Sequence, residues 1–465
     1  MNLPVRQKRK ASMLASYWLL VVLGTSALIA PAQAREQSTA TTQPTHIQRS
    51  ELVPGHYIVV LDSRASLRAR GSKVLGVAGL SKEHARRYGV DVTRLYQWAF
   101  GGYAATMTEG EAAGVAGDPM VAWVEPVRVI SAASDEFTAL APQTLPTGID
   151  RVDAELSPTA NIDQVDDRVD VDVAVVDTGI DADHGDLNVV GGTSCVRGGR
   201  GFDDRHGHGT HVGGTIGALD NGEGVVGVAP GARLWAVRVF DTNAVGSLET
   251  ILCGIEWIVR ARMDRDPGND IDVANMSFGG PFPEPVEDGN CGRSVGDIFH
   301  MAICRAVARG VTFAASAGND SMDTAFVFPA GYNEVIATSA LEDFDGQPGG
   351  SGSPSRQCSR SLGADSSLVV DDTFAYFSNF GPTVDLIAPG VCILSTFPGG
   401  TYRIASGTSM AAPHVAGGAA LYAATHPGAS PAEITTALIH NGSSDWDNSD
   451  DHDQVKEPLL NVQGF

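Results

Sequence analysis

From about residue 171 onward the sequence alternates short apolar, mostly β-branched runs with longer stretches of helical period. That alternation is what a parallel sheet flanked by helices requires. Strands are expected at 171–176, 234–240, 272–277, 311–315 and 335–339, and helices at 208–218, 248–262, 297–309, 409–425 and 431–440. Several of the strand runs lead straight into glycine-rich polar turns. In open α/β sheets ligands bind beyond the carboxyl ends of the strands, so the chemistry is to be sought in those turns.

The region before this pattern reads differently. Arg6, Lys8, Arg9 and Lys10 precede an uncharged, mostly apolar stretch that ends Ala32-Gln33-Ala34. This is the layout of a secretory signal over 1–34, preferred to an anchor helix because small residues stand at the A-x-A site. Residues 51–130 read as a small α+β unit: strands at 57–61, near 103–107 and at 121–124, a basic helical stretch after the first strand and a helix at 108–117. Residues 131–147 are small, polar and proline-containing with no sustained period, an accessible linker. No segment after residue 34 is apolar enough to span a bilayer, so the product is expected to be exported and soluble, free of the membrane once the signal is cut.

Charge divides the chain at the same place. Up to residue 130 there are 15 Lys and Arg against 9 Asp and Glu; after it there are 17 against 46. So acidic a body repels phosphate backbones and anionic lipid, which excludes nucleic acid and membrane surfaces as main partners. It suits hard cations such as calcium. All six cysteines, Cys195, Cys253, Cys291, Cys304, Cys358 and Cys392, lie in the acidic part without a C-x-x-C spacing, which in an exported chain points to structural disulfides. Of the fifteen possible connectivities, joining neighbours in order closes only moderate loops and is the working expectation.

Four positions carry chemistry. Asp177 ends the run Val-Asp-Val-Ala-Val-Val-Asp and is followed by Thr178-Gly179; alone it reads as a turn residue. His208 opens His-Gly-Thr-His-Val-Gly-Gly, whose small residues allow a helix to pack tightly on a sheet. The competing reading is a metal site of His184, His206, His208 and His211, but no acidic residue or cysteine completes a zinc pattern there. Asn319 closes Ala-Gly-Asn at another strand end, where an amide can donate to an oxyanion. Ser409 begins a helix in Gly-Thr-Ser-Met-Ala-Ala-Pro-His-Val-Ala-Gly, with Pro413 expected in its first turn; a bland N-cap is the alternative.

Together these residues resemble the subtilisin-like serine proteases, the subtilase family. The resemblance rests on Val-Val-Asp-Thr-Gly-Ile-Asp (175–181), His-Gly-Thr-His-Val (208–212), Gly-Val-Ala-Pro-Gly-Ala (227–232), Asn-Met-Ser-Phe-Gly-Gly (275–280), Ala-Gly-Asn (317–319) and the 407–417 segment. It implies a doubly wound α/β fold with a mostly parallel sheet over 148–442, preceded by an inhibitor-like, ferredoxin-like α+β propeptide over 35–130. Residues 131–147 would then hold the maturation site, and 443–465 would be a C-terminal extension without an assigned role.

The same resemblance implies a nucleophile at Ser409, a general base at His208, an orienting carboxylate at Asp177 and an oxyanion donor at Asn319. Ser277, Phe278, Gly279 and Gly280 would pair with substrate backbone. With Gly279 and Gly280, Ala315, Ser316, Ala317 and Gly318 would wall a roomy apolar pocket. Asp186, Leu219, Asn221, Glu223 and Val225 are similar to the family's structural calcium loop. The expected product is a secreted monomeric endopeptidase that acts on proteins and peptides, needs no organic cofactor and is made as a precursor held by its own propeptide. Rivals are a catalytically dead peptide binder and a metal-dependent hydrolase built on His184, His206 and His208.

Overall fold

The structure, a computed structural model, describes residues 52–62, 76–131, 142–196, 198 and 201–465. The expected signal segment and most of the linker lie outside the described residues. Within them, no helix is long and apolar enough to cross a membrane.

The N-terminal unit runs β1 (Leu52–Leu61), α1 (Val77–Tyr88), β2 (Asp91–Tyr96), β3 (Gly102–Thr106), α2 (Glu109–Ala116) and β4 (Val121–Ser131). Its antiparallel sheet has the order β2-β3-β1-β4, the ferredoxin-like arrangement. Val59, Tyr103, Ala105 and Val115 form its own core under the two helices. Helix α2 starts where expected because Thr108 and Glu111 close a capping box. Strand β2 is absent from the sequence reading: Asp91, Thr93 and Arg94 interrupt the apolar pattern of what is an edge strand.

The C-terminal unit contains β5 (Asp172–Asp177), β6 (Val189–Ser194), α3 (His208–Gly217), β7 (Arg233–Arg238), β8 (Val245–Ser247), α4 (Leu248–Ala261), β9 (Val273–Met276), α5 (Ile298–Val307), β10 (Thr312–Ser316), β11 (Val335–Glu342), β12 (Leu386–Pro389), β13 (Ile393–Phe397), β14 (Thr401–Ala405), α6 (Thr408–Thr425) and α7 (Pro431–Asn441). Strands β12-β11-β10-β9-β5-β7-β6 form one parallel sheet. Every residue of central β5 is buried, the apolar stretch 173–176 together with Asp172 and Asp177 at its ends. One core lies on the α3 and α6 face, the other on the α4 and α5 face. Strand β6 was illegible because Gly191 and Gly192 break its apolar run, and β12 because its short Leu-Ile-Ala run ends at Pro389.

The three disulfides are Cys195–Cys253, Cys291–Cys304 and Cys358–Cys392, the expected neighbours in order. The segment 443–465, expected as an extension, sends part of its length into the core. Leu459, Leu460 and Val462 are fully buried, Leu460 N–H donates to Ile387 and Val462 N–H to Val152. Apolar side chains after the acidic stretch find a hydrophobic seam beside α6 and α7, and burying them outweighs the solvation of the loop that precedes them.

The two units meet along a shared sheet edge. Strand β4 adds β8 antiparallel, with Val129 opposite Ser247 and Ser131 opposite Val245. Ser247 also caps α4 in a capping box with Thr250. Glu256 on α4 accepts from the backbone N–H groups of Gln97, Trp98 and Ala99 at 2.5, 2.7 and 2.6 Å. Glu249 accepts from Thr93 Oγ1 at 3.0 Å.

Candidate active site

Asp177 is the last residue of β5 and His208 the first of α3, so the sheet end and the helix start are brought face to face. Glycine makes the approach possible. A Cβ at Gly209 would overlap the carbonyl of Gly179 and lie 3.0 Å from the Asp177 Cβ. The helix start is held by Asp204, whose carboxylate accepts from the N–H groups of His206, Gly207 and Thr210 and from the Thr210 hydroxyl. An Asp at a helix N-terminus also complements the dipole.

His208 Nδ1 lies 2.8 and 2.9 Å from the two Asp177 oxygens, and both side chains are 0% exposed. That contact fixes the tautomer with the proton on Nδ1 and leaves Nε2 as the basic nitrogen. Among the described residues Nε2 has no hydrogen-bond partner. Burial alone would push the imidazole down; the adjacent Asp177 carboxylate more than reverses this and holds it above 6.5.

Ser409 is the second residue of α6 and is 9% exposed. Its Oγ donates to the Ser277 carbonyl at 3.0 Å, and Ser277 Oγ donates back to the Ser409 carbonyl at 2.7 Å. Pro413 explains why that carbonyl is free: it lies in the second turn of α6, not the first as expected, and has no N–H to give to the residue four before it. Asn275 Nδ2 completes the chain by donating to Ser277 Oγ at 2.8 Å.

Asn319 follows β10. Its Oδ1 accepts from the Thr408 N–H at 2.9 Å and from the Thr408 hydroxyl at 2.8 Å. Because a backbone N–H can only donate, the amide orientation is settled and Nδ2 is left to face outward. A Cβ built on Gly407 would stand 3.3 Å from Asn319 Nδ2 and 3.7 Å from the Ser409 N–H nitrogen, so the two donors border one small space that a side chain at Gly407 would fill.

The other expected positions divide. Ser277 is buried in the serine pair, and the Phe278 ring packs edge-on against Phe240 at 5.2 Å, so only backbone is available there. Gly279 and Gly280 remain half-exposed, and Gly280 pairs with Phe328. Ala315, Ser316 and Ala317 are buried and Gly318 is half-buried against Asn379. The sequence reading missed the edge at Val245–Ser247, which receives the strand arriving from the N-terminal unit. Its signal was only a Val-Gly-Ser before a capped helix.

In the expected calcium loop, Asp186 accepts from the Val225 N–H at 3.0 Å and from Asn221 Nδ2 at 3.1 Å, while its carbonyl accepts from the Leu219 N–H at 3.0 Å. Among the described residues no donor is paired with the carbonyl oxygens of Leu219, Glu223 or Val225. Oxygens without donors beside a carboxylate and a carboxamide are the donor set that calcium takes. Gln143, absent from the sequence reading, also reaches this loop, its Oε1 accepting from the Gly222 N–H at 2.7 Å.

Groups of side chains placed to hold a metal elsewhere are Glu287, Asp288 and His300, and Asp343, Asp345 and Asp371. Three of the four histidines of the competing metal-site reading are occupied separately: His208 by Asp177, His184 Nε2 by the Thr401 carbonyl, and His211 Nε2 by the carbonyls of Ile393 and Arg403. Burial, with His208 nearby, pushes His211 down to about 4.

Residues 169–464 match the Subtilase family model. The chain is 37% identical over 339 residues to Subtilisin NAT of Bacillus subtilis subsp. natto, covering 72% of this chain and 74% of that protein. It is 35% identical to Subtilisin DY of Bacillus licheniformis over 69% of this chain and 98% of that one. The crystal structure of a cold adapted subtilisin-like serine proteinase superposes with a TM-score of 0.51 at 30% identity, covering 68% of this chain and 97% of that chain. With this fold, this buried Asp–His pair and these relatives, the chain belongs to the subtilase family and is a serine-type endopeptidase.

Proposed function

We propose that the protein is an exported endopeptidase, synthesised as a precursor that matures itself, in which Ser409 attacks the peptide carbonyl. The observation that carries this reading is the fully buried Asp177–His208 contact, which leaves Nε2 as an unpartnered base while α3 and α6, the helices bearing His208 and Ser409, pack against each other.

In this reaction Ser409 Oγ leaves the Ser277 carbonyl and gives its proton to His208 Nε2 as it bonds to the substrate carbon. The imidazolium that forms is stabilised by Asp177 without taking its proton. Negative charge on the substrate oxygen is met by Asn319 Nδ2 and the Ser409 N–H, donors held in place before the charge develops. The amine leaves with the proton from His208, and water then repeats the sequence on the acyl-enzyme. The N–H of Ser409, in the first turn of α6, also adds the field of the helix N-terminus.

Substrate is proposed to bind as an added strand along Val245–Ser247 on one side and Ser277–Gly280 on the other. The pairing of β4 with β8 supports the first edge, since it shows that Val245–Ser247 accepts an extended segment. The propeptide is the inhibitor that leads into that position, and cleavage falls within 131–147. Asp186, Asn221 and the carbonyls of Leu219, Glu223 and Val225 would hold a calcium ion, whose contribution is to cross-link the loop after α3 to the strand-end segment carrying Asp186.

The deciding experiment compares wild type with Ser409→Ala, following precursor mass and hydrolysis of an unfolded protein. An inert mutant that keeps its propeptide, beside a wild type that processes and cuts, supports both parts of the reading. A mutant that still digests substrate removes Ser409 as nucleophile.

A further inference from the structure

Between β4 and the stretch 281–297 lies a cavity of about 420 Å³, walled by Glu125 and Arg128 of the N-terminal unit and, across from them, by Phe282, Glu284, Asp297 and Tyr332. Arg128 immediately precedes Val129, the residue that stands opposite Ser247 in the β4–β8 pair. Its guanidinium carbon is 4.4 Å from the centre of the Phe282 ring, and its buried Nε has no hydrogen-bond partner. The aromatic face is the contact that meets this cation.

The wall of the C-terminal unit is anionic as well as aromatic. Asp297 accepts from the N–H groups of Phe299 and His300 at 3.0 and 3.1 Å and from the Tyr332 hydroxyl at 2.6 Å, so its carboxylate is fixed beside the start of α5. Glu284 is exposed and has no ion-pair partner among the described residues. The backbone around it is held on both sides: Phe282 N–H donates to the Phe326 carbonyl at 2.7 Å and Val286 N–H to the Ala325 carbonyl at 2.9 Å. Phe282, Glu284 and Asp297 are thus set in place before any partner arrives, which lowers the cost of binding one. Within the cavity the Arg128 charge already opposes the upward push that burial and Asp297 exert on the Glu125 carboxyl.

We propose that Phe282, Glu284 and Asp297 form a subsite that selects a basic side chain in the substrate, at the residue just before the one that pairs with Ser247. The inference rests on the reading of Val245–Ser247 as the substrate edge and of the N-terminal unit as the piece removed by a cut within 131–147. Once that unit leaves, Arg128 and Glu125 go with it and the aromatic and acidic wall stays behind. A substrate strand in the register of β4 then puts one side chain where Arg128 stood. Arginine is favoured over lysine because a planar guanidinium stacks on the ring, and an acidic residue is rejected by the two carboxylates.

The test uses wild-type enzyme freed of its N-terminal unit and a peptide copying residues 125–147, in which position 128 keeps its own distance from the bond that is cut. The kcat/KM for this peptide is expected to exceed that for its Arg128→Gln counterpart by about 3- to 30-fold, the size of one exposed cation–aromatic contact with one surface ion pair. Arg128→Glu should be cut more slowly still. A peptide carrying Arg128→Val and Val129→Arg keeps the net charge and should lose the preference, which separates a subsite from general attraction to an acidic body. In the enzyme, Glu284→Gln, at an exposed position, and Phe282→Leu should each bring the Arg-to-Gln ratio toward one. Equal rates for the Arg128 and Arg128→Gln peptides at the same bond, or a shifted arginine that serves as well, overturn the proposal and leave the substrate edge standing. A wild type that never cuts the peptide within 131–147 overturns the maturation reading and this proposal together.

Discussion

Replacing Asp177 by Asn tests the central geometry most directly. The carboxylate stands 2.8 Å from His208 Nδ1, and neither group touches solvent. The imidazolium formed during acylation therefore loses an ion pair that water does not screen. With charge centres about 4 Å apart and an effective dielectric of about 20, that interaction is worth about 4 kcal/mol, or about a thousandfold in rate. An amide can also donate to Nδ1, turning the ring so that Nε2 carries the proton and no longer accepts one from Ser409. The corresponding change in the chymotrypsin-type triad costs about 10⁴. A fall of about 10³ to 10⁴ in kcat/KM is expected, measured on mature enzyme released by an unrelated protease that is then removed. The pH profile gives a second readout. The carboxylate holds His208 above 6.5, so wild-type activity rises with pH through a value above 6.5; in Asp177→Asn that limb should move to lower pH. A loss of less than tenfold with an unmoved limb would refute the reasoning.

Three further outcomes follow from the same structure. Asn319→Ala removes one oxyanion donor and should lower kcat by about 10² to 10³ with little change in KM, read from steady-state kinetics on a peptide substrate. Glu125 in β4 has a buried Oε2 although the residue is partly exposed, and burial with Asp297 nearby pushes its carboxyl up to about 8. A folded-state value raised above 4.5 means that docking of the propeptide is strongest when Glu125 is protonated and weakens as pH rises toward 8; release should speed up over that window in wild type and lose this dependence in Glu125→Gln. Leu460→Ala, in the fully buried C-terminal plug, should cost about 2 to 5 kcal/mol in denaturant unfolding on the Ser409→Ala background, whereas a peripheral tail would show almost none.

The contact between the N-terminal unit and the C-terminal unit is made in good part by backbone groups. One carboxylate, Glu256, takes three consecutive backbone N–H groups of the loop after β2, and β4 borrows the β8 edge. The first contact is charge-assisted and the second is backbone pairing, so neither demands particular side chains from the arriving strand. The edge at Val245–Ser247 is thus suited to extended segments of varied sequence.

Local patterns determined much of this protein without its fold. Predominantly apolar runs pointed to β5, β7, β9, β10 and β11, because a strand buried on both faces is filled mostly by apolar side chains, with only a few buried polar ones such as Asp177 and Asn275 among them. Small residues around His208 and a proline after Ser409 announced helices that must approach other backbone closely. What the sequence left open depended on partners distant in the chain. Whether Asp177 meets His208, why the Ser409 carbonyl turns to Ser277, and that Asn319 is held by Thr408 are decided by pairings separated by 31, 132 and 89 residues. Strand β8 and the buried 459–462 segment were likewise invisible, since an edge is defined by the strand it receives and a plug by the seam it fills. Residue type and spacing are local quantities; burial and proximity belong to the assembled chain, and it is these that turn an aspartate, a histidine and a serine into one site.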